Sequence, residues 1–293
     1  MPQLIPEDWT IDPLFLQKAY PWALVACGLV CIFILLFRRR RWRGLPSHTV
    51  SSWDIGWLDV CLLFFLLMAW STVVAPITHK ILPMTEKASP SMVAWETAID
   101  GSLLQAGLAA IFFFFWLSQP YEKRHKFSTI QMGLPSVIGC ALLYILAFMP
   151  PRMGVEMLWT AALKQLADFG ISIPMDEQSL VGCFDGSAPT LAYVWLLLLA
   201  GFVAPIVEEL IFRAGLYRFL KGQMGRGAAI VVSAGLFALL HMNVLVFPTL
   251  MLLGIALCLA YEASGNIKVP IAMHALFNLN SILMIALQLP PHS

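Results

Sequence analysis

The chain has 293 residues, of which 59% are hydrophobic and only 12% charged, with a formal net charge of +1. A soluble domain carries roughly a quarter charged residues, so a shortfall spread over the whole length excludes an ordinary soluble protein and points to a polytopic membrane protein. The near-zero charge gives no footing for nucleic acid as a partner. Five of the six cysteines lie in apolar runs, with neither disulfide-framework nor zinc-ligand spacing.

Spanning hydrocarbon takes about 20 apolar residues as a helix. The N-terminal MPQLIPEDWTID is acidic and lacks the basic region of a cleavable signal peptide. In chain order, spans are expected at 20–37, 54–76, 92–118, 132–150, 191–212, 227–243, 244–262 and 267–289. This gives an all-α bundle of about eight transmembrane helices around an intramembrane cavity. Residues 152–169 mix charges into a helical apolar pattern and read as a separate interfacial helix. The segment to 189 reads as an external loop. Asp54 and Asp59 read as marking a helix start. Trp22, Trp53, Trp57, Trp95 and Trp116 read as interfacial anchors, and the run FFFFW at 112–116 as lipid-facing bulk. No internal repeat is visible.

Lys and Arg set the orientation. RRRRWR at 38–43 belongs on the cytoplasmic side, and alternation then puts YEKRHK at 121–126, Arg218, Lys221 and Arg226 there too. Loop 151–189 falls outside, with two basic residues against five acidic. Both termini are expected outside.

The last third sets polar residues into apolar helices. VEELIFR holds Glu208, Glu209 and Arg213; SAGLFALLHMN holds Phe237 and His241; PIAMHALFNLN holds His274 and Asn278. Residues four apart share a helix face. Glu209 therefore faces Arg213, Phe237 lies along His241, and His274 points with Asn278. Adjacent helical residues diverge by ~100°, so Glu208 looks away from Arg213 and has no cation in its own helix. Glu209–Arg213 reads as a brace and Glu208 as the working acid. Counting ~1.5 Å per residue from the turns brings Glu208, His241, His274 and Asn278 to similar depth.

A glutamate and a histidine flanking one water can deprotonate it. A second histidine and an asparagine can hold the oxyanion formed when that water attacks a carbonyl. The set thus suits amide hydrolysis without a serine or cysteine nucleophile and without a required cofactor. Glu208, His241 and His274 around zinc, with water as fourth ligand, form the alternative, although HExxH is absent. Asn280 reads as a packing residue. A proton-coupled transporter, or an inactive membrane scaffold, are the competing functions; the polar set lies entirely in the last third, which does not favour symmetric transporter halves.

The patterns E-E-x-x-x-R, F-x-x-x-H and H-x-x-x-N, in this order, resemble the type II CAAX prenyl proteases and their bacterial relatives, the CPBP (CAAX protease and bacteriocin-processing) intramembrane peptidases. YEASGNIKVPIAMH, 261–274, is similar to the family's approach to its third motif. The resemblance covers about 190–285 and implies a catalytic portion at 191–289; residues 1–190 resemble no family. It further implies that Glu208 and His241 activate water, that His274 and Asn278 form the oxyanion hole, and that Glu209, Arg213 and Phe237 support them. The substrate so implied is a membrane-associated protein or peptide, lipidated or not, and the location a prokaryotic plasma membrane.

Overall fold

The computed structural model describes residues 13–41, 50–82, 89–124, 126–170 and 189–286, without the side chains of 13–18, 38–41 and 286. The described residues form eight long or medium helices: α1 Pro13–Arg41, α2 Trp57–Ile81, α3 Pro90–Ser118, α4 Leu134–Asp168, α5 Thr190–Met224, α6 Arg226–Leu239, α7 Phe247–Ser264 and α8 Lys268–Ala286. Seven are long and apolar enough to cross a membrane, and α6 is a shorter apolar helix. The all-α, polytopic membrane architecture expected from the sequence is the one found. Most of the expected external loop and the arginine run beyond residue 41 lie outside the described residues.

Several expectations need correction. Residues 152–168 are no separate interfacial helix but the C-terminal part of α4, which runs unbroken through Pro150 and Pro151. A proline removes the hydrogen bond to the carbonyl four residues back. The Leu146 carbonyl so released lies against α1 at Gly28, where an added Cβ would come within 2.3 Å of it. The close approach of a side-chain-free helix face offsets the lost bond and lets α4 continue. Trp53 is no interfacial anchor. It is 1% exposed, donates its indole N–H to the Lys123 carbonyl at 3.0 Å, and packs edge-on against Phe112 and Phe115. Those two phenylalanines are buried, so the run 112–116 is lipid-facing only through the exposed Phe113 and Phe114. Period 3.6 divides the run between two faces. By contrast, Asp59 does mark a helix start: its carboxylate accepts the Gly56 N–H at 3.1 Å.

The sixth expected span ends early. α6 has 14 residues, about 21 Å of rise against a hydrocarbon core of about 30 Å. The chain then turns through 240–246. Met242 takes a left-handed φ of 49°, and the Asn243 side chain accepts the N–H groups of Leu245 and Val246 at 2.9 and 3.3 Å. Trp159 of α4 donates its indole N–H to the Val244 carbonyl at 3.0 Å. His241 therefore sits in a pinned turn rather than on a helix.

α6 and α7 pack as a tight antiparallel pair. At Gly254 a Cβ would lie 2.8 Å from the Ala234 Cβ and 2.9 Å from its Cα. Gly254→Val forces the pair apart, with an expected loss of about 1–3 kcal/mol by overpacking. A thermal melt of the variant in detergent, showing a clearly lowered midpoint, checks this.

Candidate active site

α5 is not a uniform α-helix. Wider π turns occupy Leu199–Val203 and Leu210–Tyr217, and between them lies the six-residue α segment Ala204–Glu209 that carries both glutamates. Such bulges cluster at functional sites because they rotate the side chains that follow. Their local cause is visible at the first stretch. The Ala204 N–H reaches the Leu199 carbonyl five residues back. The next bond in that register would come from Pro205, which has no N–H. The Ala200 carbonyl is thereby freed, and Asn278 of α8 fills it, its amide donating at 2.8 Å.

Glu209 is fully buried and Arg213 is 1% exposed. Arg213 Nη1 donates to Glu209 Oε1 at 2.8 Å, the one-turn pairing expected from the spacing. The same oxygen meets His274 Nδ1 at 2.9 Å. Glu209 thus braces two residues rather than one, and the His274 link crosses from α5 to α8. With Nδ1 turned to Glu209, His274 Nε2 faces Glu208, whose Oε2 lies 3.8 Å away. Glu208 is the more open acid, its side chain 22% exposed. The roles divide as the ~100° helical step requires.

His241 is partly buried and closes the end of α6: its Nδ1 lies 2.8 Å from the Phe237 carbonyl. A ring N–H donating there satisfies an orphan helix-end carbonyl and leaves Nε2 with a free lone pair. Phe237, wholly buried, is the common surface beneath the site. Its ring meets His241 edge-on at 4.8 Å and His274 at 5.7 Å, with the Arg213 guanidinium 4.4 Å over its centre. The π face attracts that cation. Direct contact joins Glu208 to His274; His241 reaches the cluster through Phe237.

Among the described residues, no three His, Cys, Asp or Glu side chains gather as a metal-binding group. Glu208, His241 and His274, the set considered for zinc, do not converge into a cage here. Glu209 and Arg213 also retain unmet polar atoms: Glu209 Oε2, Arg213 Nε and Arg213 Nη2 have no hydrogen-bond partner among the described residues.

The fold and this cluster define an integral membrane protein with a glutamate–arginine–histidine centre buried between its helices. Residues 190–280 match the family model described as type II CAAX prenyl endopeptidase, Rce1-like. No curated protein and no solved structure matches the chain.

Removing one partner of a buried ion pair typically costs about 3–5 kcal/mol, because the other charge stays buried and unpaired. Arg213→Leu should therefore lower folded yield and thermal stability sharply, while Glu209→Gln with Arg213→Leu together recover part of the loss. Size-exclusion profiles and melts of the single and double variants test it; equal stability of wild type and Arg213→Leu would remove the brace from the account.

Proposed function

We propose that the protein is an intramembrane endopeptidase that hydrolyses a peptide bond of a membrane-associated protein or peptide through water activated by Glu208 and His241. The single observation that carries this reading is the division of labour between adjacent acids. Glu209 is sealed and doubly engaged, while Glu208 stays partly open, next to an imidazole already oriented by Glu209.

In this reading Glu208 takes the proton of a water that His241 Nε2 helps to hold; the two need not touch directly, because the water lies between them. Attack on the carbonyl places negative charge on its oxygen. His274 stabilises that charge through Nε2–H, which requires both ring nitrogens protonated, Nδ1–H resting on Glu209. Asn278 has one amide hydrogen engaged with Ala200 and presents the other. The proton held by Glu208 then passes to the departing amine nitrogen. The water supplies OH to the new carboxyl group, and no cofactor enters the balance. The substrate class is a membrane-associated polypeptide, lipidated or not, in the plasma membrane of a prokaryote; nucleic acid has no part.

Losing a general base of this kind typically costs about 10²- to 10⁴-fold in rate. Glu208→Gln and His241→Ala should each abolish cleavage and still insert as folded, monodisperse protein. The readout is quantitative proteomics of C-terminal fragments in cells carrying wild type or Glu208→Gln. Fragments that persist undiminished with Glu208→Gln would falsify the mechanism.

The metal-free form makes its own prediction. Purified, active protein should hold well under one equivalent of zinc by elemental analysis and should keep its activity after prolonged chelation. Activity that disappears with the chelator and returns with stoichiometric zinc would replace the water-only scheme by a metal-assisted one.

A further inference from the structure

The polar residues of α5 continue past the site in one line. Glu209, Arg213, Tyr217 and Lys221 recur at every fourth position; the first two are bonded to each other, and the last two meet one acid of α7. Across from them α7 supplies Cys258 and Glu262, again four apart. Tyr217 donates its hydroxyl to Glu262 Oε1 at 2.7 Å, and Lys221 Nζ reaches the same oxygen at 2.5 Å and the Val50 carbonyl at 2.6 Å. Cys258 stands beside Arg213, with Glu209 and Glu262 near by. Tyr217 and Cys258 are 0% exposed and Glu262 is 3% exposed.

Six buried side-chain atoms among the described residues lack a hydrogen-bond partner, and four of them fall on this line: Glu209 Oε2, Arg213 Nε, Arg213 Nη2 and Glu262 Oε2. Buried charged groups are held in place by having each lone pair and N–H met. The two carboxylate oxygens need a donor, and the two guanidinium N–H groups need an acceptor. An anion would suit Arg213 but meet two carboxylates; a cation would suit the carboxylates but meet Arg213. A small neutral molecule that both donates and accepts satisfies all four, as buried water does in polar cavities.

We infer that a file of bound water runs between α5 and α7 from Glu209 to Glu262 and opens beside Lys221 at the end expected to face the cytoplasm. Glu209 Oε1 also holds His274, so the file reaches the site from behind, separately from the open side at Glu208. The file's existence is independent of catalysis; its service to a reacting centre rests on the endopeptidase reading above.

The test is radiolytic hydroxyl-radical footprinting of the full chain in lipid nanodiscs, where radicals born from bound water oxidise the side chains beside it. With rates corrected for intrinsic reactivity, Cys258 and Tyr217 should label several-fold above the equally buried Phe112, Phe219 and Leu253. After rapid mixing into heavy-oxygen water, oxygen added at Cys258 should keep the light isotope longer than oxygen added at the exposed Tyr121. Cys258 and Tyr217 labelling no faster than the three controls would overturn the inference, as would isotope kinetics at Cys258 identical to those at Tyr121. Neither measurement depends on cleavage, so an inactive protein with a labelled Cys258 would sink the endopeptidase reading alone.

Discussion

One buried carboxylate organises the last third of this protein. An ionised acid moved into a low-dielectric interior costs several kcal/mol unless it is paired and hydrogen-bonded. Glu209, with no exposed surface, meets that demand through Arg213 one turn along its own helix and His274 on another. The second contact is the consequential one. It ties α5 to α8 across the bundle and decides which nitrogen of His274 looks toward Glu208. The charged guanidinium in turn requires an electron-rich cover, and Phe237 supplies it while carrying both imidazoles on its edges. The cost of burying one charge therefore propagates into the positions of the remaining members of the site.

Backbone irregularity serves the same end. A straight α-helix through 190–224 would leave the Pro205 gap as one missing bond. The π turn shifts that gap to the Ala200 carbonyl, and Asn278 occupies it. Asn278 is thus held at its amide by the very helix that carries Glu208. A residue whose pattern suggests chemistry has a structural half as well, which ties the two helices in register close to where the acid stands. The turn after α6 behaves similarly. Its left-handed Met242 is a conformation that a side-chain-bearing residue adopts at a cost of order 1 kcal/mol or more, offset here by the Asn243 bonds and by Trp159.

What could be read in the sequence was what obeys a local rule. Glu209 with Arg213, and Phe237 with His241, follow from fourfold helical spacing, and both pairs are found. The bundle itself follows from apolar runs of sufficient length. What could not be read depends on partners far along the chain. The burial of Trp53 needs Lys123 and Phe112; the continuity of α4 through two prolines needs Gly28 of α1. His274 meeting both glutamates needs the rotation imposed by π turns, which no single-residue propensity announces. The Tyr217–Glu262–Lys221 cluster is partly legible: its fourfold spacing on α5 stands in the sequence, but Lys221 by itself reads only as an orientation charge.

The family match covers 190–280, yet that segment does not close on itself. Arg218, 0% exposed, spends its guanidinium on the Ser51 and Lys126 carbonyls, and the Trp53 N–H returns to the Arg218 carbonyl at 3.0 Å. Asn266, at the entry to α8, is held by the Ile130 carbonyl and by Ser128. At the other end Trp159 pins the turn of His241. Described segments before residue 190 thus grip the helices of the site at both ends, in part through backbone carbonyls that any residue could offer and in part through the Ser51 and Ser128 hydroxyls and the Trp159 indole. Where the frame uses a carbonyl it fixes the site while imposing little on the identity of the framing residue; where it uses a hydroxyl or an indole it does constrain that residue. The carbonyl contacts among them are invisible in sequence, because a carbonyl belongs to every residue, and yet they help to hold the motifs that follow.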